Sequence, residues 1–285
     1  MNNTRPVKMS PLAPRPLIAF CLSCCILSSL LPTTIFAGSI IAWGSKSDDK
    51  CNVPEPNTDF VAISAGVSHS LALKSDGSIV AFGYSYTPPE GNNFIAIAAG
   101  SHSLTLKSDG SIIGWGNNHF GQATPPVGNN FTAIAAGLYH SIALKPDGSI
   151  VAWGLNNFGQ CNIPSPNSNF VAISGGRFYS LALKSDGSII AWGDNSFGQA
   201  TPPTGNNFIA IAAGGYHSLA LKSDGSIIAW GDNWDYQATP PIGNNFIAIA
   251  AGPDYSLALK SDGSIVAWGG NGYGQCNVPL PNSIY

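Results

Sequence analysis

The feature that most constrains this chain is an internal repeat with a period of about 38 residues. An Asp-Gly pair recurs at intervals of 33, 38, 39, 38 and 38 residues, and a Trp-Gly or Phe-Gly pair recurs in step with it. The aspartates of the first series are Asp76, Asp109, Asp147, Asp186, Asp224 and Asp262. A fixed period of this length is typical of architectures in which each unit packs only on its neighbours.

One copy of the repeat, residues 209–231, reads as three short strands joined by two tight turns. The strands Ile209–Ala213, His217–Lys222 and Ser226–Trp230 are too short, and too rich in Gly and β-branched residues, for helices. Ser223-Asp224-Gly225 is a three-residue hairpin loop whose glycine can take a positive φ without steric cost. We therefore predict an all-β fold with three to four short strands per unit.

Such strands are apolar on both faces, so each unit needs a neighbour on either side. Radial stacking supplies both neighbours and leaves only short edges, which predicts a single β-propeller; a linear solenoid is the alternative. Ala and Gly dominate the first strand, where blades would crowd the axis, and an aromatic residue ends the third strand, where blades diverge. We interpret these aromatics as wedges between blades: Trp43, Phe82, Trp115, Trp153, Trp192, Trp230 and Trp268.

The blade number stays open at this point. Six complete repeats run from Gly38 to Asp262, and a partial seventh begins at Gly263. The segment Gly38–Gly44 has a third-strand sequence but no preceding partner strands. Either the seventh blade is incomplete or the ring closes with six blades, and in both cases residues 38–285 form one propeller domain.

The recurring motif AGxxHSLALKSDGSIxAWGxNxxGQ resembles the repeat of the regulator-of-chromosome-condensation family, from Gly38 to about Pro281. The short spacer after Gly-Gln is more similar to bacterial members, which include secreted propeller-type β-lactamase inhibitors. The resemblance implies a ring of about seven blades and protein binding, without naming the partner. It also leaves open a guanine-nucleotide-exchange role like that of the eukaryotic namesake.

Residues 1–37 read as a signal peptide. Arg5, Lys8 and Arg15 form a basic leader, Leu17–Leu31 is an apolar run, and Phe36-Ala37 offers a cleavage site before Gly38. The prediction is therefore a secreted, periplasmic or cell-surface protein, with membrane contact only if the segment stays uncleaved. An uncleaved anchor and a lipoprotein at Cys24 or Cys25 are the alternatives.

Charge and composition exclude several function classes. The leader holds three of the 12 basic residues and none of the 15 acidic ones, so the remaining chain has a net charge of −6. This balance argues against nucleic acid or an anionic membrane as a partner. No nucleophile–base pairing, HExxH motif or phosphate loop is found, which predicts a protein that is not an enzyme and that needs no small-molecule cofactor.

Histidine recurs at one repeat position and is replaced there by tyrosine in two copies. The residues are His69, His102, His140, Tyr179, His217 and Tyr255. A position that accepts Tyr favours a hydrogen-bonding structural role over a metal site. Beyond the leader, Cys51, Cys161 and Cys276 are odd in number, so at least one is unpaired or bonds to another molecule. Because the chain ends meet at ring closure, Cys51 and Cys276 are the only plausible internal pair.

Strand direction determines which turns lie at each end of the ring. The Ala-Gly-x-x and Asn-x-x-Gly-Gln turns share one rim, and the Lys-Ser-Asp-Gly hairpins share the other, where Lys145, Lys184 and Lys222 lie. Only the first rim varies between copies, and it carries residue types that dominate interfaces. The predicted partner-binding residues are Tyr139, Arg177, Phe178, Tyr216, Trp234 and His119. The alternative is that these are tolerant loop tips.

The aromatic residues of the second kind of turn are more regular. Phe120, Phe158, Phe197, Tyr236 and Tyr273 precede the Gln, and we predict that they pack under the turn. The leading hypothesis is a secreted, non-enzymatic propeller that docks a protein on the variable rim. The alternatives are a β-lactamase-inhibitor-like protein, a nucleotide-exchange regulator and a structural surface or matrix protein.

Overall fold

The computed structural model describes residues 38–84 and 87–280, together with the backbone of a two-residue strand, Leu17–Ile18. The predicted signal peptide, residues 1–37, lies outside the described residues except for that strand. Within the described part of the chain, no helix has the length and apolar character needed to cross a membrane.

Each repeat folds as its turn residues dictate. In the copy around Asp224, Gly225 has a φ of 81°, the left-handed conformation that glycine adopts without penalty. The Asp224 carboxylate accepts hydrogen bonds from Ser226 N at 2.9 Å and Ser226 Oγ at 2.6 Å. These bonds satisfy the loop locally, so the chain reverses and the two flanking strands pair.

The described strands form six three-stranded sheets and one short pair. The short pair is β1 (Leu17–Ile18) with β2 (Ile40–Ile41), and a 3₁₀ turn (Ser47–Asp49) follows. The six sheets, here blades one to six, comprise β3 (Phe60–Ala65), β4 (His69–Lys74) and β5 (Ile79–Gly83); β6 (Phe94–Ala99), β7 (His102–Lys107) and β8 (Ile112–Gly116); β9 (Ala133–Ala136), β10 (His140–Leu144) and β11 (Ile150–Gly154); β12 (Phe170–Gly175), β13 (Tyr179–Lys184) and β14 (Ile189–Gly193); β15 (Phe208–Ala213), β16 (His217–Lys222) and β17 (Ile227–Gly231); and β18 (Phe246–Ala251), β19 (Tyr255–Lys260) and β20 (Ile265–Gly269).

Within each blade the strands are antiparallel and in sequence order, with the second strand in the middle. In blade five, for example, His217 pairs with Gly231 and Ser218 pairs with Trp230. This confirms the predicted all-β propeller and its three strands per unit. Counted as repeats that open at Gly38, each blade combines the last two strands of one repeat with the first strand of the next.

The core lies between blades. One cluster joins Ile142, Leu144 and Ile150 of blade three to Phe170 and Trp192 of blade four. The first strands of consecutive blades contact one another from blade one to blade six, and their small Ala side chains allow this close approach. At each of the five junctions between blades a backbone N–H of the next blade donates to the hairpin glycine, as Phe246 N does to Gly225 O at 3.1 Å, and these bonds fix the spacing.

The N-terminal strand occupies the third-strand place of a seventh blade. Gly38 exchanges two backbone hydrogen bonds with Phe60, of 2.9 and 3.1 Å, whereas the hairpin glycines at the other junctions accept one bond from the equivalent phenylalanine. Trp43 Nε1 donates to Gln275 O at 3.0 Å, so the two ends of the described propeller meet. Of the two possibilities left open by the sequence, the described residues therefore form six complete blades and a partial seventh.

Candidate functional site

Backbone hydrogen bonds join the two kinds of variable turn. Leu155 N donates to Tyr139 O and Asp194 N donates to Phe178 O, each at 2.9 Å. The Ala-Gly turn of a blade therefore lies directly beside the turn that follows its own third strand. The two turns form one rim, here called the variable rim, as strand direction predicts.

A buried glutamine organises each of the later turns. Gln199, which is fully buried, accepts a hydrogen bond from Phe197 N at 2.8 Å and donates to Asp194 at 3.1 Å. Asn195 Oδ1 accepts from Ala200 N at 2.8 Å and closes the other side of the turn. Because the amide occupies the interior, the phenylalanine ring at the turn tip points outward.

The outward rings meet the rings of the Ala-Gly turns. Phe120 contacts Tyr139 edge to face, with centroids 5.6 Å apart. Tyr139 stacks on Phe178 at 5.9 Å, and Phe158 packs against Phe178 at 4.9 Å. Such pairs are worth roughly 0.5–1.5 kcal/mol beyond the area they bury, so they hold one another in place.

Arg177 extends this arrangement toward the next blade. Its guanidinium carbon lies 5.4 Å from the Phe178 ring centroid and 5.2 Å from that of Tyr216, within cation–π range. Phe197 then packs on Tyr216 at 5.2 Å. The aromatic row is defined as the resulting set of side chains: Phe120, Tyr139, Phe158, Phe178, Arg177, Tyr216 and Phe197.

The aromatic row is open to solvent. Phe120, Phe158 and Phe197 are 47%, 50% and 46% exposed, which is high for phenylalanine. Arg177 is exposed and forms no ion pair among the described residues, so its charge is available to a partner. Rigid aromatics beside an unpaired arginine are the side chains that most often anchor protein interfaces.

The structure assembles part of the predicted rim and leaves part outside it. Tyr139, Arg177, Phe178 and Tyr216 come together in the aromatic row. Trp234 is 85% exposed in the turn after blade five but makes no ring contact with the described residues, and His119 is also exposed. Binding by any of these six residues stays a prediction.

The prediction that the regular turn aromatics pack under the turn was wrong. The described rings at this position are 46–74% exposed, and three of them belong to the aromatic row. Sequence reasoning missed them because regular recurrence resembles a core pattern. The glycine that follows every one of these rings except Tyr236 was the available signal. At Gly198 φ is 83° and no atom lies near its Cβ position, which marks an exposed turn tip.

The predicted wedges lie between blades. Trp192 is 6% exposed and packs on the preceding blade, and its Nε1 donates to Gln160 O at 2.8 Å. The other five tryptophans of the wedge set are half-buried, and Phe82 is buried. All seven members of the set pack against an adjacent blade or strand: Trp43, Phe82, Trp115, Trp153, Trp192, Trp230 and Trp268.

The recurring histidines link each blade to the next. His102 Nε2 lies 2.6 Å from Ser141 Oγ, and Ser141 in turn donates to Gln122 O at 2.8 Å. Since the serine hydrogen is used on Gln122, the imidazole must be the donor, which places its proton on Nε2. His69, His140 and His217 make the corresponding contact with a serine of the following blade. This is the structural hydrogen bonding that the sequence predicts.

Burial keeps these imidazoles neutral. It lowers the pKa of His69, His140 and His217 to about 4, and that of His102 to about 3, where His140 and His69 add smaller repulsions. Nδ1 of His102, His140 and His217 has no hydrogen-bond partner within the described structure, so a second proton there would lack an acceptor. Among the described residues no cluster of three metal-binding side chains exists.

The three cysteines that the structure describes are separate free thiols. Cys51 donates to Ser45 O at 3.2 Å, Cys161 to Leu155 O at 3.4 Å and Cys276 to Gly270 O at 3.3 Å. The pair considered from the sequence, Cys51 with Cys276, is therefore not bonded. Burial raises the pKa of all three thiols, to about 11 at Cys161, so each is a poor nucleophile.

The profile of the regulator of chromosome condensation (RCC1) repeat matches six segments: residues 60–86, 94–122, 131–160, 170–199, 208–237 and 246–275. Each match begins at or next to the first strand of a blade, and the last five end at the glutamine of the following turn. No curated protein has a sequence that matches the chain.

Solved structures with a similar fold include three propellers. Prp20p from Saccharomyces cerevisiae superposes with a TM-score of 0.71 at 18% identity, covering 85% of this chain and 83% of its own. Human WBSCR16 superposes with a TM-score of 0.65 at 17% sequence identity, covering 86% of this chain and 90% of its own. The ectodomain of the receptor kinase ACR4 from Arabidopsis thaliana superposes with a TM-score of 0.61 at 24% sequence identity, covering 74% of this chain and 85% of its own. At these identities the likeness is one of fold.

Proposed function

The chain belongs to the regulator of chromosome condensation (RCC1) repeat family, and on that premise we propose that it is a protein-binding propeller whose partner docks on the aromatic row. The observation that carries this proposal is the run of solvent-exposed rings around Arg177, because exposed aromatics of this density are costly unless they are covered. The yeast protein Prp20p, which has a similar fold, binds Gsp1p and histones. A propeller of this fold therefore binds proteins in at least one other case.

We further propose that the protein acts outside the cytoplasm, on the strength of its basic and apolar leader. Intact-mass measurement of the protein from the native source tests this point. A mature N-terminus at Gly38 is expected, and a cytosolic protein that retains residues 1–37 would contradict it.

The rim assignment is tested with one triple variant, in which Phe120, Phe158 and Phe197 are changed to Ala. These rings are half-exposed, but each loses one ring contact, so the free energy of unfolding should fall by roughly 1.5–4.5 kcal/mol in total. Affinity for the partner should fall by about 2 kcal/mol or more, close to thirtyfold, if even one ring is an anchor. The partner is found by capture from the extracellular milieu with the wild-type chain.

The matched control changes three equally apolar, exposed residues away from the variable rim: Val127, Ile242 and Leu280, each to Ala. This triple should capture the same proteins as the wild type. Proteins lost only with the Phe triple are candidate partners, and titration with each purified protein measures the affinity. Equal losses from both triples would indicate general stickiness and would refute the rim assignment.

A further inference from the structure

A cleft lies between blade six and blade one, where the seventh blade is incomplete. Its volume is about 450 Å³. Tyr255 and Leu257 of blade six line one side, Gly66 and Ser70 of blade one line the opposite side, and residues 42–44 of the N-terminal strand line a third. Among the described residues, no two inner strands fill this position as they do in blades one to six.

The five complete junctions show what normally covers these surfaces. At each of them the first serine of the following blade's second strand is buried beneath a His or Tyr of the preceding blade. These serines are at most 3% exposed: Ser103, Ser141, Ser180, Ser218 and Ser256. Their counterpart in blade one, Ser70, is only half-buried and faces the cleft.

Two backbone acceptors at the cleft also lack the bonds that their counterparts make. No described N–H donates to Gly66 O, whereas three of its five counterparts accept one from the preceding blade: Gly100 O from Val67 N at 3.0 Å, Gly176 O from Leu138 N at 3.1 Å and Gly252 O from Gly215 N at 3.3 Å. Gln160 O accepts hydrogen bonds from both Trp192 Nε1 and Ser180 Oγ. Among the described groups, Gln275 O accepts a hydrogen bond only from Trp43 Nε1. Each missing donor would come from the second blade strand or from the turn before it.

The chain itself shows that the slot admits a strand. Leu17–Ile18 pairs with Ile40–Ile41 and contacts the first strand of blade one. That is the place of a second strand, because second strands of the complete blades contact the first strand of the next blade. The pairing is parallel, not antiparallel, and it spans two residues, so it leaves residues 42–44 lining the cleft.

We propose that this cleft is a docking site for a β-hairpin of a partner polypeptide, which completes the seventh blade. The second strand of that hairpin carries His or Tyr followed by Ser and then alternating Leu and Ala. A His donates to Ser70, whereas a Tyr hydroxyl accepts from it as Tyr179 does from Ser218. The partner's Ser donates to Gln275 O, and the backbone pairs with residues 42–44. Backbone pairing supplies affinity and the side chains supply selectivity, as in other strand-addition sites. The site is distinct from the aromatic row.

A peptide with the sequence of residues 208–222, which forms the two inner strands of blade five, is the probe. Its binding to the full-length chain is followed by the anisotropy of an N-terminal fluorescein. We expect saturable binding that weakens at least tenfold when the peptide carries both His217→Ala and Ser218→Ala. The protein variant Ser70→Ala should weaken binding by a similar factor, and Val127→Ala, an exposed control, should not. Amide exchange at residues 42–44 and Gly66 should slow on binding.

Four results would overturn the proposal. The first is no saturation at millimolar peptide, and the second is equal binding of the altered and unaltered peptides. The third is a full-length chain that sediments as a dimer and excludes the peptide, since a second copy would then cover the cleft. The fourth is a chain ending at Leu280 that binds the peptide at least tenfold more tightly, which would identify residues 281–285 as the occupant.

Discussion

Acidification should destabilise this propeller through its four buried histidines, His69, His102, His140 and His217. Each imidazole is held neutral in the folded state by burial, with a pKa of about 4 or, at His102, about 3. In the unfolded chain the ordinary value of about 6.5 applies. Because the folded pKa is the lower one, the stabilisation is complete above about pH 6.5 and is lost as the pH falls from there toward 4.

The magnitude follows from the linkage relation. Between pH 7.5 and pH 5.5 the unfolded chain takes up nearly one proton per histidine and the folded chain takes up almost none. Each histidine therefore costs about 1.3 kcal/mol over this interval, and the four together cost about 5 kcal/mol. This is a large fraction of the free energy of unfolding of a typical domain.

Titration of the hairpin carboxylates does not contribute to the loss of stability between pH 7.5 and 5.5. The six hairpin aspartates have a lowered pKa, caused first by hydrogen bonds from the serine two residues later. Their sign is the usual one for acids: the stabilisation is present above the unfolded value of 3.8 and is lost only below it. Urea unfolding at pH 7.5, 6.5 and 5.5, followed by tryptophan fluorescence, therefore reports on the histidines.

A single variant isolates one of the four groups. His140→Tyr installs the residue found at this position in blades four and six, and it should reduce the loss between pH 7.5 and 5.5 by about a quarter. Ile142→Val, on the same strand, is the control, because it should cost about 0.5–1.5 kcal/mol equally at each pH. A wild-type change below about 1 kcal/mol between pH 7.5 and 5.5 would refute the reasoning.

Three further changes test the packing between blades by urea unfolding at pH 7.5. Trp192→Ala should cost about 3–5 kcal/mol, and a loss below about 1 kcal/mol would show that the ring is not a wedge. Gly137→Ala should cost at least about 1–3 kcal/mol, since the new Cβ would lie 2.2 Å from His140 Cε1; an unchanged midpoint would contradict that contact. Ser141→Ala should cost about 2–3 kcal/mol because two buried partners lose their bond, and a neutral result would argue against the relay.

The local structure of each repeat could be predicted from the sequence. In the copy around Asp224 the predicted strands 209–213, 217–222 and 226–230 differ from the observed ones by at most one residue at either end. Alternating small and branched apolar residues, an Asp-Gly hairpin and a glycine at the end of the first strand are short-range signals, and short-range hydrogen bonds satisfy them. The repetition of that unit then predicted the propeller.

The site was only partly predictable. Variation between copies identified Tyr139, Phe178 and Tyr216, but it could not show that Arg177 lies between the last two rings. Nor could it show that Phe158 is half-exposed, because exposure depends on how a turn of one repeat meets a turn of another. These contacts join residues about 20 to 40 positions apart, beyond any local pattern.

Ring closure was decided by the tertiary structure alone. The sequence determined the strands, their turns and the existence of a seventh third-strand, Gly38–Gly44, but it was compatible with six or seven positions in the ring. That choice depends on the rotation between successive blades, which the bulk of Trp192 and its equivalents and the crowding of Ala-rich first strands set together. Because this angle accumulates over the whole ring, no single repeat encodes it, and the cleft beside Ser70 exists only once all six blades are in place.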